Sequence, residues 1–231
     1  MTKELNNRLA AVYSKAVETY LTTSAIPEGY AGPFVAAAPD NYEEARIRWM
    51  YVGQEGGYEE IASSRDVRAV MDEYAGFQGN EGPFWRFGFA LERHLNPGLL
   101  QRSFIWSNIA RVWKSDIDGR VPSEFLDFWS KQRFTEAEIR ILRPQFVLFV
   151  TGPNYDDLLQ EEFPEIVIPP LTPQTPVVTL SQEEPLMLKT YHPNGLHFQK
   201  LTAIAREQIL AAVSERGLLN EALRPAPGHG H

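Results

Sequence analysis

The sequence predicts an α/β fold in which a central, mostly parallel sheet carries helices on both faces. Helical and strand patterns alternate along the chain, as in folds that join parallel strands through helices. In addition, the run QFVLFVT at 145–151 has the continuous hydrophobicity of a strand buried on both faces. With 231 residues, 43% of them apolar, the chain can bury the core that such a fold needs.

Four strands are predicted, because four short apolar runs end in turn residues. These runs are 46–53, 103–107, 145–151 and 186–192. Apolar spacing and capping signals predict helices at 4–22, 64–77, 83–95, around 127–129, from an N-cap at Thr135 to Pro144, after 156, and at 196–216. The proline-rich stretch 163–185 is expected to be an irregular connection with short edge strands.

The predicted architecture is a three-layer sandwich of helices, four-stranded sheet and helices. We expect a single domain over residues 1–224. Within it, residues 1–43 form an N-terminal extension of helix and loop, and residues 225–231 form a disordered tail.

Several kinds of site are excluded by the absence of cysteine. The chain has no disulfide, no thiolate metal site and no cysteine-ligated iron–sulfur cluster. It offers no strong cluster of other metal ligands either, so we expect neither metal nor cofactor. No run of about 18 or more apolar residues occurs, and the polar first residues are unlike a signal peptide, so we expect a cytoplasmic protein.

The net charge of −8, from 22 basic and 30 acidic residues, argues against a chain that holds nucleic acid mainly by bulk electrostatics. A local basic face is still compatible with this charge. Six basic residues fall close together in the sequence: Arg86, Arg93, Arg102, Arg111, Lys114 and Arg120. Each of them alone is equally well explained as ordinary surface charge.

Polar side chains follow the predicted strands, where ligands of parallel sheets bind. The first strand ends in Gly-Gln-Glu-Gly-Gly, in which glycine permits close approach of the backbone to a ligand and Glu55 supplies a carboxylate. Asn108 follows the second strand with an amide that can donate and accept. His192 follows the fourth and can donate to an oxygen that gains negative charge. Together they predict a ligand-binding site.

The motifs at these strand ends resemble those of the uracil-DNA glycosylase superfamily, in order and approximate spacing over about residues 44–215. Residues 53–58, GQEGGY, are similar to the GQDPY motif of the best-known members, and residues 192–196, HPNGL, to their HPSPL motif. Residues 105–108, IWSN, are similar to a strand that ends in asparagine. The stretch FVLFVTGPNYDD is similar to a further buried strand followed by a turn with glycine.

The resemblance implies an enzyme that flips a damaged base out of DNA and hydrolyses its N-glycosidic bond. Glu55 would position water and stabilise the cationic sugar, and His192 would donate to the pyrimidine O2. Asn108 would hydrogen-bond the pyrimidine edge, and Leu196 would be the wedge that fills the gap in the duplex. Further base-binding candidates are Gln54, Gly57, Tyr58 and, as the aromatic that stacks on the base, Phe77 or Phe84. Further DNA-binding candidates are Gly152, Pro193 and Asn194.

The sequence departs from the family pattern around the acid. Glu55 replaces an aspartate and is one methylene longer, and a shift on the order of 1 Å at a reacting group can cost roughly a hundredfold in rate. Gly56 replaces the proline that follows the acid. Gly57 stands where the family tyrosine excludes thymine, and Tyr58 comes one residue late. Glycine at this place is similar to the mismatch-specific and other distant branches, whose pockets are more open. Asn194 replaces the HPSPL serine.

Two other functions are compatible with the same residues. A superfamily member that kept the pocket could bind or process a free nucleobase or nucleoside without DNA, which the acidic net charge and the altered acid favour. An inactive interaction module could instead use the helix at 196–216 as a partner surface. A basic rim around the strand ends separates the first hypothesis from these two, because a DNA glycosylase needs one.

Overall fold

The computed structural model describes residues 2–23, 30–56, 66–114, 126 and 129–221, and these residues form an α/β fold. The predicted tail at 225–231 and the predicted helical residues 127 and 128 lie outside this described part.

Among the described residues the main sheet has five strands: the four predicted ones and an edge strand within 163–185, where the sequence predicts short edge strands. The strands of the structure are β1 Tyr30–Ala31, β2 Trp49–Gly53, β3 Ile105–Asn108, β4 Trp113–Lys114, β5 Phe146–Phe149, β6 Val177–Ser181 and β7 Leu186–Thr190. The main sheet has the order β3-β2-β5-β7-β6, and β1 pairs with β4 separately. The first four strands of this order are parallel, and β6 adds an antiparallel edge next to β7.

The described helices are α1 Thr2–Thr23, α2 Val67–Gly76, α3 Pro83–Leu95, α4 Phe134–Leu142, α5 Asp156–Glu162, α6 Pro193–Phe198, α7 Thr202–Glu215 and α8 Leu218–Glu221, with 3₁₀ turns at Tyr42–Glu44 and Pro153–Tyr155. The helices α2 to α5 lie in the connections between the parallel strands, which need such crossovers. The start of α2 is fixed by Asp66, whose side chain accepts from the backbone N–H groups of Arg68 and Ala69 at 2.9 and 3.3 Å. The predicted helix 83–95 is confirmed, with Pro83 at its first position.

Thr135 is not the N-cap that the sequence predicts. It lies inside α4, whose N-cap is Arg133, and its side chain is fully buried. There its hydroxyl accepts a hydrogen bond from Nη2 of Arg111 at 3.1 Å. A buried guanidinium needs such an acceptor, so Thr135 satisfies a hydrogen bond of Arg111 in the core and does not cap the helix.

The single helix predicted at 196–216 is two helices, α6 and α7. Lys200 turns the chain between them with a φ of 58°. Its N–H donates to His197 O at 3.1 Å, and the N–H of Leu201 donates to Leu196 O at 2.8 Å. These two bonds form the Schellman pattern of a helix end over residues 196–201. An apolar contact between the first and last residues of the six frequently accompanies this pattern. Accordingly, Leu196 and Leu201 are both buried in the same core.

Helices pack on both faces of the sheet. On one face, the hydroxyl of Tyr51 in β2 donates to Phe84 O in α3 at 3.1 Å. Tyr51 is in register with Trp106 of β3, so the next residue, Ser107, points to the opposite face. There the hydroxyl of Ser107 donates to Oε2 of Glu138 in α4 at 2.7 Å. The helices therefore cover the two faces of the sheet and leave the carboxyl ends of its parallel strands accessible.

A buried ion pair anchors the chain that follows β3. Nη1 of Arg111 lies 2.7 Å from Oε1 of Glu138, and both side chains are 1% exposed. The hydroxyl of Tyr13 in α1 donates to the same Oε1 at 2.5 Å. The N-terminal helix is thereby part of the core. Arg111 is only three residues after Asn108, so the pair anchors the chain next to the candidate site.

Candidate active site

A cavity of about 410 Å³ opens at the carboxyl ends of β2, β3 and β7. Its lining residues are Gln54, Glu55, Gly56, Asn80, Gly82, Pro83, Phe84, Trp85, Trp106, Asn108, His192 and Asn194. The chain passes from β2 to β3 on one side of β2, and later crosses to β5 on its other side. Such a reversal of direction across the sheet creates a crevice at the carboxyl ends of the strands. The cavity has the size of a small-molecule site.

Close approach of the backbone requires glycine at position 53. A Cβ atom on Gly53 would lie 2.5 Å from Oδ1 of Asn108 and 3.0 Å from Cε2 of Phe84. Both distances are shorter than ordinary contacts, so only glycine lets these two side chains stand against β2. Asn108 is 2% exposed, and its Nδ2 donates to Gly56 O at 2.5 Å. Asn108 thus holds the turn that carries Glu55.

Gln54 ties the ends of β2 and β5 together. Its Nε2 donates to Thr151 O at 2.8 Å, and its own carbonyl accepts from Ala110 N at 2.9 Å. Gly152 follows with a φ of 61°, and a Cβ atom there would lie 3.7 Å from His192 N and 3.8 Å from Nε2 of Gln54. The predicted DNA-binding residue Gly152 therefore lies between two predicted site residues and brings the β5 turn against both.

His192 is held as a neutral imidazole at the edge of the cavity. Its Nδ1 accepts a hydrogen bond from the backbone N–H of Asn194 at 3.3 Å. Burial lowers the pKa of His192 to about 4 from its ordinary 6.5, because the ring is desolvated. With Nδ1 acting as an acceptor, the single proton of the neutral ring is on Nε2. The side chain is therefore a hydrogen-bond donor that carries no charge at neutral pH.

An aromatic wall closes one side of the cavity. The ring of Phe84 stacks near that of His192, with centroids 5.9 Å apart and planes at 22°. Trp85 and Trp106 complete the wall, with ring centroids 4.9 Å apart in an edge-to-face arrangement. Of the two predicted stacking residues, Phe84 lines the cavity. Phe77 instead packs behind the wall, against both tryptophans.

Glu55 lies in the turn between Gln54 and Gly56, partly exposed, and lines the cavity with both neighbours. The turn is therefore able to present a carboxylate to a ligand. The predicted base-binding residues Gly57 and Tyr58 lie outside the described residues.

The predicted wedge residue Leu196 is not at the surface. It is fully buried in the same core as Leu201, which follows the end of α6. Pro193 is buried as well, whereas Asn194 is exposed and lines the cavity. The exposed large apolar side chain of α6 is Phe198, which is 82% exposed.

Two of the six clustered basic residues belong to the interior. Arg102 and Arg111 are each 1% exposed. Burial lowers the pKa of Arg102 to about 10, although its guanidinium donates to four backbone carbonyls, those of Tyr74, Ala75, Phe77 and Phe104. Arg86 and Arg93 are exposed, and the Lys114 side chain and Arg120 lie outside the described part. The cluster is therefore not one continuous basic face.

Six cavity residues had no place among the predicted site residues: Gly56, Asn80, Gly82, Pro83, Trp85 and Trp106. Trp106 could have been predicted from the sequence, because it is two residues before Asn108 in β3 and side chains two residues apart in a strand lie on the same face. Asn80 lies in the loop before α3, where its Oδ1 accepts from Gly82 N at 2.8 Å. Such a turn is common in any loop, so it gives no sign of a site.

No family model matches the chain, and no curated protein matches it. No described helix is long and apolar enough to cross a membrane. Within the described ranges there is also no group of three or more His, Cys, Asp or Glu side chains that could hold a metal ion.

Proposed function

We propose that the protein is a DNA glycosylase that removes uracil or a related damaged pyrimidine. The observation that carries this proposal is the neutral imidazole of His192, in an aromatic-walled cavity that Asn108 and Glu55 also line. A departing pyrimidine is an anion spread over its ring, and an uncharged donor that meets it strengthens its hydrogen bond as the charge develops.

The extruded base would enter the cavity and stack on Phe84. Aromatic stacking binds every base, so the pattern of donors and acceptors has to select the pyrimidine. One N–H of the Asn108 amide is engaged by Gly56. The other N–H and the amide oxygen supply a donor and an acceptor, which match the imide edge of uracil.

Hydrolysis then breaks the bond between C1′ of the sugar and N1 of the base. The bonding electron pair leaves with the base, and Nε2 of His192 donates to its O2. The sugar becomes cationic, and the carboxylate of Glu55 stabilises it and orients the water that adds to C1′. The added water loses one proton, which the base anion gains, and the products are the neutral free base and an abasic site.

The wedge that fills the gap in a duplex is assigned to Phe198 instead of Leu196. An apolar side chain that enters a base stack has to be presented at the surface, and Phe198 is 82% exposed.

A strand-cleavage assay tests the proposal. Labelled single- and double-stranded oligonucleotides with one uracil are incubated with the protein and then heated in alkali, which cleaves at abasic sites. We expect cleavage by the parent protein, and a loss of about 10²–10³-fold in turnover for His192→Ala. Glu55→Gln should lose activity too, whereas Glu165→Gln, an exposed residue outside the cavity, should keep it. Parent protein that leaves both substrates intact, or a His192→Ala variant as active as the parent, contradicts the proposal.

A second candidate is a pocket for a free nucleobase or nucleoside. The burial of Arg102 and Arg111 favours it, because it removes two cations from the surface of a chain with a net charge of −8. Calorimetry with uracil and deoxyuridine separates the two functions, since a glycosylase that requires DNA binds the free ligands weakly. The third reading, a partner surface on the long helix, is less favoured, because α7 buries Ala205, Ile209 and Val213 in the core.

A further inference from the structure

A second, smaller cavity of about 200 Å³ lies beside the first, between α3, α6 and α7. Its lining residues are Pro83, Arg86, Phe87, Ala90, Pro193, His197, Thr202 and Arg206. Pro83 lines both cavities, and Pro193 follows His192 directly in the chain. The two cavities are therefore neighbours.

The polar side chains of this second cavity are basic or neutral. Arg86 is exposed and Arg206 is partly exposed, and among the described residues neither guanidinium has a hydrogen-bond or ion-pair partner. His197 and Thr202 add further donors, and the described lining includes no acidic residue. In a chain with a net charge of −8, two unneutralised arginines in one cavity make a local site for an anion.

We propose that this second cavity binds a phosphodiester group of the DNA strand whose base occupies the first cavity. This inference rests on the proposed function. Only the sugar separates a base from its phosphates, so a strand with one base in the first cavity has to pass a phosphate over an adjacent surface. Guanidinium groups hold phosphate oxygens through paired, charge-assisted hydrogen bonds. Phosphate contacts of this kind position the strand and do not depend on the base.

Equilibrium binding of fluorescent single-stranded oligonucleotides tests the proposal, with fluorescence anisotropy as the readout. One oligonucleotide contains uracil and the other is identical but contains cytosine at that position. The variants are Arg86→Gln, Arg206→Gln and the double variant. Arg93→Gln is the matched control, because Arg93 is an exposed arginine of the same helix that lies outside the cavity.

We expect the double variant to bind both oligonucleotides on the order of tenfold more weakly at about 0.1 M salt, because charge-assisted contacts are the stronger hydrogen bonds. Loss of one neutralised phosphate should also reduce the slope of log affinity against log salt by about 0.7. Arg93→Gln should match the parent. Inorganic phosphate at millimolar concentration should not displace the oligonucleotide, because a strand makes several contacts at once.

The outcomes separate this inference from the proposed function. Arginine-dependent binding without uracil excision keeps the phosphate site and refutes the glycosylase. Uracil excision with equal affinity and equal salt slope in parent and double variant overturns the phosphate site alone. No oligonucleotide binding by the parent, or full displacement by inorganic phosphate, overturns the strand-binding role of the cavity.

Discussion

Replacing Gly53 by alanine tests how the site is assembled. The new Cβ atom would lie 2.5 Å from Oδ1 of Asn108, whereas ordinary contacts of such an atom begin at 3.4 Å. Asn108 therefore has to move by 3.4 − 2.5, or 0.9 Å. Phe84, whose Cε2 would be 3.0 Å away, has to move as well. Both side chains line the candidate site, so one methyl group perturbs recognition and stacking together.

The expected cost follows from these displacements. Overpacking in a well-packed interior costs about 1–3 kcal/mol. A shift of 0.9 Å also stretches the 2.5 Å hydrogen bond from Asn108 to Gly56 and weakens it, which costs up to about 1 kcal/mol. Gly53→Ala should therefore lower the free energy of unfolding by about 1–4 kcal/mol. Base excision should fall about a hundredfold, as expected for misplacement on the order of 1 Å.

Urea unfolding and the strand-cleavage assay measure the two effects. Gly76→Ala is the matched control, because a Cβ atom on Gly76, the last residue of α2, would meet no atom within 4 Å. That variant should be as stable as the parent or gain about 0.5–1 kcal/mol. In an Asn108→Ala background, Gly53→Ala should cost at least about 1 kcal/mol less, because the clashing amide is gone. Unchanged stability of Gly53→Ala, or strict additivity with Asn108→Ala, would refute the reasoning.

Three further predictions follow from the same contacts. The folded-state pKa of His192 is about 4, below the unfolded value of 6.5, so the unfolded chain binds more protons between these two pH values. Stability should therefore fall as the pH drops from 6.5 to 4. In urea unfolding at several pH values, His192→Gln should lose less stability over this range than the parent. Glu138→Ala leaves the buried guanidinium of Arg111 without its ion pair and should cost about 3–5 kcal/mol in urea unfolding, whereas a cost below about 1 kcal/mol would contradict the buried pair. Leu196→Ala should lower stability by about 2–5 kcal/mol, because its side chain is fully buried. Phe198→Ala should leave stability unchanged and should reduce excision from duplex DNA more than from single strands. The reverse pattern would assign the wedge role to Leu196.

The fold class could be predicted from the sequence because buried parallel strands need continuous apolar runs. WMYVG and FVLF are such runs, and they became the fully buried strands β2 and β5. The strand β6 is predicted only as a short edge strand within the proline-rich stretch 163–185, without its bounds. As an antiparallel edge strand it is only half buried, so its sequence carries no continuous apolar pattern.

Much of the cavity could also be predicted, because parallel strands place their carboxyl ends at one edge. Gln54, Glu55, Asn108 and His192 follow or end three different strands and line one cavity. The second cavity could not be predicted in this way. Arg86 and Arg206 lie on the surfaces of separate helices, and only the packing of α3 against α7 brings them together.

The end of α6 at Lys200 can be tested by one substitution. The observed helix end and a continuous helix over 196–216 predict changes of opposite sign in the free energy of unfolding. Lys200 has a φ of 58°, a conformation that costs a residue with a Cβ atom roughly 1–2 kcal/mol and costs glycine little. Lys200→Gly should therefore raise the free energy of unfolding by about 1 kcal/mol. If 196–216 were one continuous helix, glycine in its interior would instead lower it by about 1 kcal/mol. Urea unfolding of Lys200→Gly decides between them, with Lys200→Ala as the control for loss of the charge. A stabilised glycine variant supports the helix end that buries Leu196 and leaves Phe198 at the surface, and a destabilised one returns Leu196 to a helix face.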